Sequence, residues 1–439
     1  MSFENEADMI VKVGWCTKLG AVFKTWRRRW FVLTQNGLAY YKSPGKKLQG
    51  TISLENADVA KDPSAKKQPA FSITTPTRVY RIVGEDLEET ESWIDSIKQV
   101  QEEKNRPIPA SLNDFTILKV LGRGSYGKVQ LVRHKKTKNL YAMKSLSKRK
   151  LAQFDLIGRS ITERNVLFQA NHPFIVSARY SFQTDTKIFI CLDYVQGGEL
   201  FSRLAEEGSF SEARVKIYAA EIVLAISYLH SIEIIHRDLK PENILVNMKG
   251  NLKLTDFGLV KEKMGADSTT RTFCGTPEYI APEMIQGRAY NKMVDWWSVG
   301  VLIYQMLFGR QPFYNHNTNE LYKMIIMEEP LFPRNEASSL AVDFVGQLLK
   351  KNPSMRLGHE SEDEIFNHPW FNGIPWQQIL EEQYPMEWKP TIKDTTDTSQ
   401  FAPEFTNEEA AVSYEDPALV SPMTNEELRG FTYVNELLI

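Results

Sequence analysis

The pattern of apolar and polar positions changes character several times along this chain. Between residues 10 and 83 short apolar runs are separated by polar turns. Trp30-Phe31-Val32-Leu33, Leu38-Ala39-Tyr40-Tyr41, Phe71-Ser72-Ile73-Thr74 and Val79-Tyr80-Arg81-Ile82-Val83 are rich in aromatic and β-branched residues, which suit a pleated, half-buried surface. Asn36-Gly37 between the first two predicts a hairpin turn. From Glu85 the period lengthens: Leu87, Ile94, Ile97 and Val100 recur at helical spacing, with Trp93 beside them. A strand meander followed by one helix outlines a small antiparallel barrel capped by that helix. Residues 101–114 are polar, carry two prolines and predict a linker. About ten such residues, fully extended, reach only ~35 Å, so the flanking domains are expected to be near neighbours.

Strand signals resume at Phe115 and run to about Tyr194, interrupted by one helix that contains Glu163. Helical patterns dominate from about Glu199 to Phe371. Residues 372–439 are strongly acidic, yet Phe401, Phe405, Tyr414, Phe431 and Tyr433 punctuate them. A purely acidic tail predicts disorder; these aromatics predict docking in pieces.

Composition narrows the class. The chain has 439 residues, enough for two or three domains, with 25% charged residues and a net charge of -2. No global basic excess supports nucleic-acid binding, although Arg27-Arg28-Arg29 forms a local basic run. Cys16, Cys191 and Cys274 are few and widely spaced, which fits neither a disulfide framework nor a zinc site and predicts a reducing compartment. The polar, acidic N-terminus resembles no signal peptide, and position 2 is Ser, so myristoylation is not expected. No apolar run reaches the ~18 residues of a membrane span, so membrane contact is expected to be peripheral.

The chemistry lies in an ordered series of motifs. Gly122-Arg123-Gly124-Ser125-Tyr126-Gly127-Lys128-Val129 is followed by Ala142-Met143-Lys144, Glu163, His236-Arg237-Asp238-Leu239-Lys240-Pro241-Glu242-Asn243, Asp256-Phe257-Gly258 and Ala281-Pro282-Glu283. Alone, a glycine-rich loop is weak evidence; in this order the set is the protein-kinase signature. Phosphoryl transfer needs the phosphate oxygens held and neutralised while a hydroxyl is aligned. Gly122, Gly124 and Gly127 let backbone amides approach phosphates. Lys144 is expected to hold the α- and β-phosphates and Glu163 to hold Lys144. Asn243 and Asp256 offer the hard oxygens that Mg prefers. Asp238 is placed to accept the substrate hydroxyl proton, and Lys240 to neutralise the transferring group. None of these residues is missing, which argues against a catalytically dead scaffold. Thr272 lies between Asp-Phe-Gly and Ala-Pro-Glu, where activation-loop phosphorylation occurs. Phosphate there would give Arg237 an anionic partner, with Lys261 as a second contact.

Further strings carry a family resemblance. Thr272-Phe-Cys-Gly-Thr-Pro-Glu-Tyr279, Asp295-Trp296-Trp297 and Gly430-Phe431-Thr432-Tyr433 resemble the AGC group of Ser/Thr kinases. Gly14-Trp15, Lys18 and Lys24-Thr25-Trp26-Arg27-Arg28-Arg29-Trp30-Phe31 resemble the lipid-binding strands of a pleckstrin-homology domain. Together they resemble the protein kinase B (Akt) family over nearly the whole chain. The resemblance implies an α+β multidomain protein: a pleckstrin-homology β-barrel capped by a helix over 8–102, a linker over 103–114, a bilobal kinase domain over 115–371 and an AGC tail with a hydrophobic motif over 372–439. It implies ATP and Mg as cofactors, protein Ser/Thr substrates in Arg-directed motifs, upstream activating kinases, a phosphoinositide membrane surface and a monomer. The location it implies is the cytoplasm, with recruitment to the plasma membrane.

Residue by residue, the resemblance places Leu121, Val129, Ala142, Asp193 and Val195 around ATP, with Leu192 as gatekeeper. Glu199 and Glu242 would read an arginine three positions before the target. Arg159 would sit near the Thr272 phosphate. Thr432 would be the hydrophobic-motif phosphosite, with Gln183 contacting that phosphate. Lys18, Arg27, Arg29 and Arg78 would hold a 3-phosphorylated phosphoinositide; Arg27 and Arg29, two apart on a strand, share a face that Arg28 does not. Departures stand beside the match. Gln305 replaces a Glu, which predicts weak selection for a more distal substrate arginine. Leu428 replaces a Phe of the hydrophobic motif, the linker is short for the family, and Glu55 replaces an Asn near the inositol ring. The turn-motif phosphosite is either Ser421, followed by Pro, or Ser413, which has the better spacing.

Overall fold

Strand Ile10–Leu19 runs antiparallel to Trp26–Thr34, and the meander continues through Gly37–Tyr41 and Leu48–Ile52. Its other side pairs with Arg78–Val83, then Ala70–Thr75 and Asp58–Lys61, giving one seven-stranded sheet. Alternation decides what is buried: Phe31, Leu33, Leu38, Ile73 and Ile82 point inward. Helix Leu87–Asn105 closes this core with Trp93, Ile97 and Val100. Asp86 starts the helix, its side chain accepting the Glu89 N–H at 2.8 Å. The capped barrel expected from the sequence is therefore present, and its helix extends into the first residues of the expected linker.

The structure, a computed structural model, describes residues 10–20, 25–34, 37–54, 57–76, 78–105, 110–124, 126–265 and 268–434. Asn36, Glu55, Ser125 and linker residues 106–109 lie outside the described residues. The chain divides into two compact units, Met1–Ile108 and Pro109–Ile439. Among the described residues no helix is long and apolar enough to cross a membrane.

The second unit is bilobal. Its smaller lobe is a six-stranded sheet in the order Tyr433–Val434, Ala178–Gln183, Lys187–Asp193, Leu140–Ser147, Gly127–His134, Phe115–Arg123. Helix Ile157–Gln169 packs on it, bringing Glu163 inward. The larger lobe is helical, built around Glu212–Ser231 and Met293–Phe308, whose Trp296 and Trp297 are fully buried. Glu283 and Arg356, both buried, form a bidentate pair at 2.8 and 3.0 Å that ties the Ala-Pro-Glu segment to the lower helices.

The tail docks in pieces, as its aromatics predict, with one exception. Phe401 stacks on Tyr194, Phe431 is buried, and Tyr433 packs on Phe168. Tyr414 instead stands exposed. That stretch is held by polar contacts: Lys187 Nζ reaches Ser413 Oγ at 3.0 Å and Glu415 at 2.8 Å. Tyr433–Val434 adds a strand to the open sheet edge beside Ser181 and Tyr180.

Candidate active site and phosphate-binding sites

Lys144 sits mid-strand, paired with Val129 on one side and Ile190 on the other. Its Nζ lies 2.6 Å from Glu163 Oε1 and 3.8 Å from Asp256 Oδ1. Burial opposes the ammonium charge, but the Glu163 and Asp256 carboxylates outweigh it and hold the Lys144 pKa above its ordinary value. The charge of Lys144 in turn holds the Asp256 carboxyl below its usual range. Asp256 adopts φ +58°, a left-handed conformation rare for non-glycine residues.

The catalytic loop is held from beneath. Asp295, buried, accepts the His236 N–H at 2.9 Å and the Arg237 N–H at 2.8 Å, and Arg237 adopts φ +67°. Asp238 follows. Its Oδ1 accepts the Thr276 N–H at 3.0 Å and the Thr276 hydroxyl at 2.8 Å, while its Oδ2 meets Asn243 Nδ2 at 3.1 Å and Lys240 Nζ at 3.2 Å. Lys240 also donates to Thr276 Oγ1 at 2.8 Å. Asn243 Nδ2 further donates to the Asp238 carbonyl at 2.8 Å. With its nitrogen engaged, what Asn243 has left to offer a cation is an amide oxygen; with the Asp256 carboxylate this is a hard-oxygen set that suits Mg.

The three glycines of the phosphate loop differ in kind. A Cβ on Gly122 or Gly124 would meet nothing within 4 Å, so those positions face open space. A Cβ on Gly127 would lie 1.7 Å from the Ser145 carbonyl oxygen. Gly127 is thus required by strand packing, whatever the loop binds. Behind the loop, Leu121, Val129 and Ala142 form an apolar cluster with Tyr194 and Phe401. Leu192 and Asp193 end the strand that leads to the larger lobe, Val195 lies just beyond it, and the Asp193 side chain is paired with Arg179 at 2.7 Å.

Thr272 is exposed and opens on a cavity of about 380 Å³ lined also by Arg237, Lys261 and Arg159. Arg237 donates to the Leu259 carbonyl at 2.7 Å, the Val260 carbonyl at 3.1 Å and Tyr290 Oη at 3.1 Å, all neutral acceptors. Glu199 and Glu242 lie close enough that burial, and then the Glu242 charge, push the Glu199 carboxyl up. Among the described residues, Glu242 Oε2 is buried without a hydrogen-bond partner. Gln305 is buried and accepts from the Tyr279 hydroxyl.

In the first unit Lys18 stands directly opposite Arg27 across two strands, and Arg29 opposite Cys16. Like charges facing across a ladder are unfavourable unless an anion joins them. Burial, then Arg78, Arg29 and Arg27, push the Lys18 ammonium down. Its Nζ lies 4.7 Å from the Tyr40 ring centroid. Arg28 points elsewhere, over Trp15 and paired with Glu85.

At the tail, Gln183 Nε2 donates to the Leu428 carbonyl at 3.1 Å, so in this structure it meets backbone beside the Thr432 segment. Leu428 is fully buried. Ser421 caps the helix Pro422–Glu427 and accepts the Met423 N–H at 3.2 Å. Arg164, which sequence patterns did not single out, donates to the Gly430 and Phe431 carbonyls at 2.7 and 3.0 Å. Thr276 and Asp295 were likewise visible only inside longer strings, with no signal of whom they would touch.

A Lys–Glu pair under a glycine loop, an aspartate flanked by lysine and asparagine, and a second aspartate facing the lysine define a protein kinase. Family models agree: a protein kinase domain matches residues 115–371, a PH domain 10–102 and a protein kinase C terminal domain 392–433. The chain is 41% identical over 433 residues to a RAC family serine/threonine-protein kinase homolog of Dictyostelium discoideum, covering 96% of this chain and 97% of that relative. It is 36% identical over 449 residues to the human RAC-beta serine/threonine-protein kinase, covering 92% and 93%. The chain belongs to the RAC family of serine/threonine-protein kinases, with a PH domain, a kinase domain and an AGC-type tail.

Proposed function

We propose that this kinase is drawn to membranes by 3-phosphorylated phosphoinositides, is activated by phosphate on Thr272 and further by phosphate on Thr432, and phosphorylates Ser/Thr three residues after an arginine. The observation that carries this is Thr272 opening on the same cavity as Arg237, Lys261 and Arg159. A phosphate there finds three cations whose present contacts include no carboxylate among the described residues. Recruitment is supported by the convergence of Lys18, Arg27, Arg29 and Arg78 at one end of the PH barrel.

In catalysis, Leu121, Val129 and Ala142 cover the adenine, and the backbone of Asp193 and Val195 reads its edge. Gly122 and Gly124 admit the phosphates, and Lys144 neutralises their charge. Mg, where held by Asp256 and Asn243, supplies charge neutralisation on the phosphate oxygens. Asp238 accepts the proton of the attacking hydroxyl at a carboxylate oxygen. Lys240 stands 3.2 Å from that carboxylate, placed to offset charge on the transferring group. Thr276 orients the aspartate. The orphaned Glu242 oxygen and Glu199 form a seat for a guanidinium. Gln305, uncharged and engaged by Tyr279, gives little selection for a more distal arginine.

The test is a positional peptide library with ATP, run on the full chain before and after phosphorylation of Thr272 by an upstream kinase. Strong selection for Arg three before the target, in the phosphorylated form, is expected. Equal activity of the two forms, or no arginine selection, refutes it.

A further inference from the structure

Glu408, in the acidic tail, reaches the root of the glycine-rich loop. Its Oε2 accepts from Arg123 Nη2 at 2.9 Å and from Lys128 Nζ at 2.9 Å. These two cations face each other on the strand rung next to the turn, since Arg123 pairs with Lys128. Just beyond, the Gly124 N–H donates to the Gly127 carbonyl at 3.0 Å. One carboxylate oxygen therefore spans both strands of the hairpin that carries the loop.

The segment bearing Glu408 is held on both sides. Before it, Phe401 stacks on Tyr194 with centroids 6.0 Å apart, and the Tyr194 hydroxyl donates to the Asp397 carbonyl at 2.6 Å. Lys119 Nζ donates to the Thr406 carbonyl at 3.2 Å. After it, Gln130 Nε2 donates to the Ala411 carbonyl at 3.1 Å. A strap thus runs from the segment joining the lobes to the glycine hairpin, with Glu408 where it meets the loop.

We infer that Glu408 is a positioning residue that sets the height of the glycine-rich loop over the nucleotide. The inference rests on that loop covering the ATP phosphates. Facing cations on neighbouring strands repel and splay a hairpin unless an anion lies between them. An exposed ion pair does little, and Arg123 is 54% exposed; the Lys128 and Glu408 side chains, only 18% and 25% exposed, form the shielded pair, and one oxygen serves both donors. The hydrogen bond from Lys128 and the charges of Lys128 and Arg123 also hold the Glu408 carboxyl below its ordinary range.

Glu408→Gln in the full chain keeps the size and removes the charge. Hydrogen exchange of the peptide over 122–128 reads the anchoring, and steady-state kinetics with ATP varied read the consequence. Faster exchange is expected there, with KM for ATP rising about three- to tenfold, the range for one partly shielded ion pair joined to one exposed pair, and kcat changing less. Lys128→Ala combined with Glu408→Gln should be less damaging than the sum of the two, because both remove the same contact. Unchanged loop exchange in Glu408→Gln, or faster exchange with KM for ATP unmoved, overturns the inference. Adding MgADP to the unmutated chain separates the two levels: if nucleotide gives no protection over 122–128, the loop's own role fails, whatever Glu408 does.

Discussion

Thr272→Ala tests the proposed phosphate switch in the larger lobe. Arg237 now meets three neutral acceptors, and one of them, Tyr290, donates to the Thr272 carbonyl at 2.6 Å. The guanidinium is therefore already within one residue of the modification point. A phosphate on Thr272 adds a charge of about −1.5 to −2. Two new charge-assisted contacts, to Arg237 and Lys261, would contribute about 1.5–3 kcal/mol each. Fixing one or two loop residues costs about 1–2 kcal/mol each. At the middle of both ranges the surplus is about 2 kcal/mol, which shifts the loop toward its ordered form by roughly thirtyfold. The assay compares kcat/KM of wild type, Thr272→Ala, Arg237→Ala and the double variant after treatment with an upstream kinase. Each single variant should lose about ten- to a hundredfold, and the double variant no more than the worse single, because both remove one contact. Additive losses, or full activity in Thr272→Ala, would show that Arg237 does not read this phosphate.

Three further outcomes are expected. Lys144→Met and Asp256→Ala should each cut phosphoryl transfer by roughly 10²–10³-fold or more while melting temperatures stay close to wild type, since both act on phosphate charge; activity within about threefold of wild type in either would sink the assignment. In liposome co-sedimentation at near-physiological salt, Arg29→Ala should lose phosphoinositide binding while Arg28→Ala, over Trp15 and paired with Glu85, keeps most of it; equal loss in both would show that strand facing does not sort them. His230 lies between Asp295 at 2.9 Å and Glu362 at 3.0 Å, with Lys292 beyond Glu362 and His236 beyond Asp295. Burial opposes its charge, but the two carboxylates raise its pKa. Its contribution to stability is therefore fully present below the unfolded histidine value of about 6.5 and fades as pH rises through the raised value. The melting-temperature gap between wild type and His230→Gln should narrow from pH 6 to pH 9, and a constant gap would refute the linkage.

What the sequence discloses here follows from how each group is constrained. Lys144, Asp238, Asn243 and Asp256 are legible because phosphoryl transfer restricts residue type and because each lies in a short string of fixed local spacing. Their partners are less legible. Asp295 holds the catalytic loop through backbone N–H groups, and Thr276 orients Asp238; both are ordinary residues until a distant segment folds against them. The glycines show a finer limit. One motif suggests one reason for all three, yet Gly127 is excluded from carrying a side chain by the Ser145 carbonyl, whereas Gly122 and Gly124 face open space. The tail shows the same thing at larger scale. Its acidity is visible as composition, but composition cannot say that Glu408 grips the loop hairpin while Glu415 grips Lys187 and Ser147. Leu428, which stands where the family has a Phe, is fully buried, and the neighbouring turn is held by Arg164 through backbone carbonyls that any sequence would supply. A two-residue strand such as Tyr433–Val434 has no period to detect, because its pairing is dictated by the open edge it joins. Contacts made by backbone, or by a single charge on a long connection, leave no pattern in the chain that makes them. In this kinase those contacts join the tail to the small lobe.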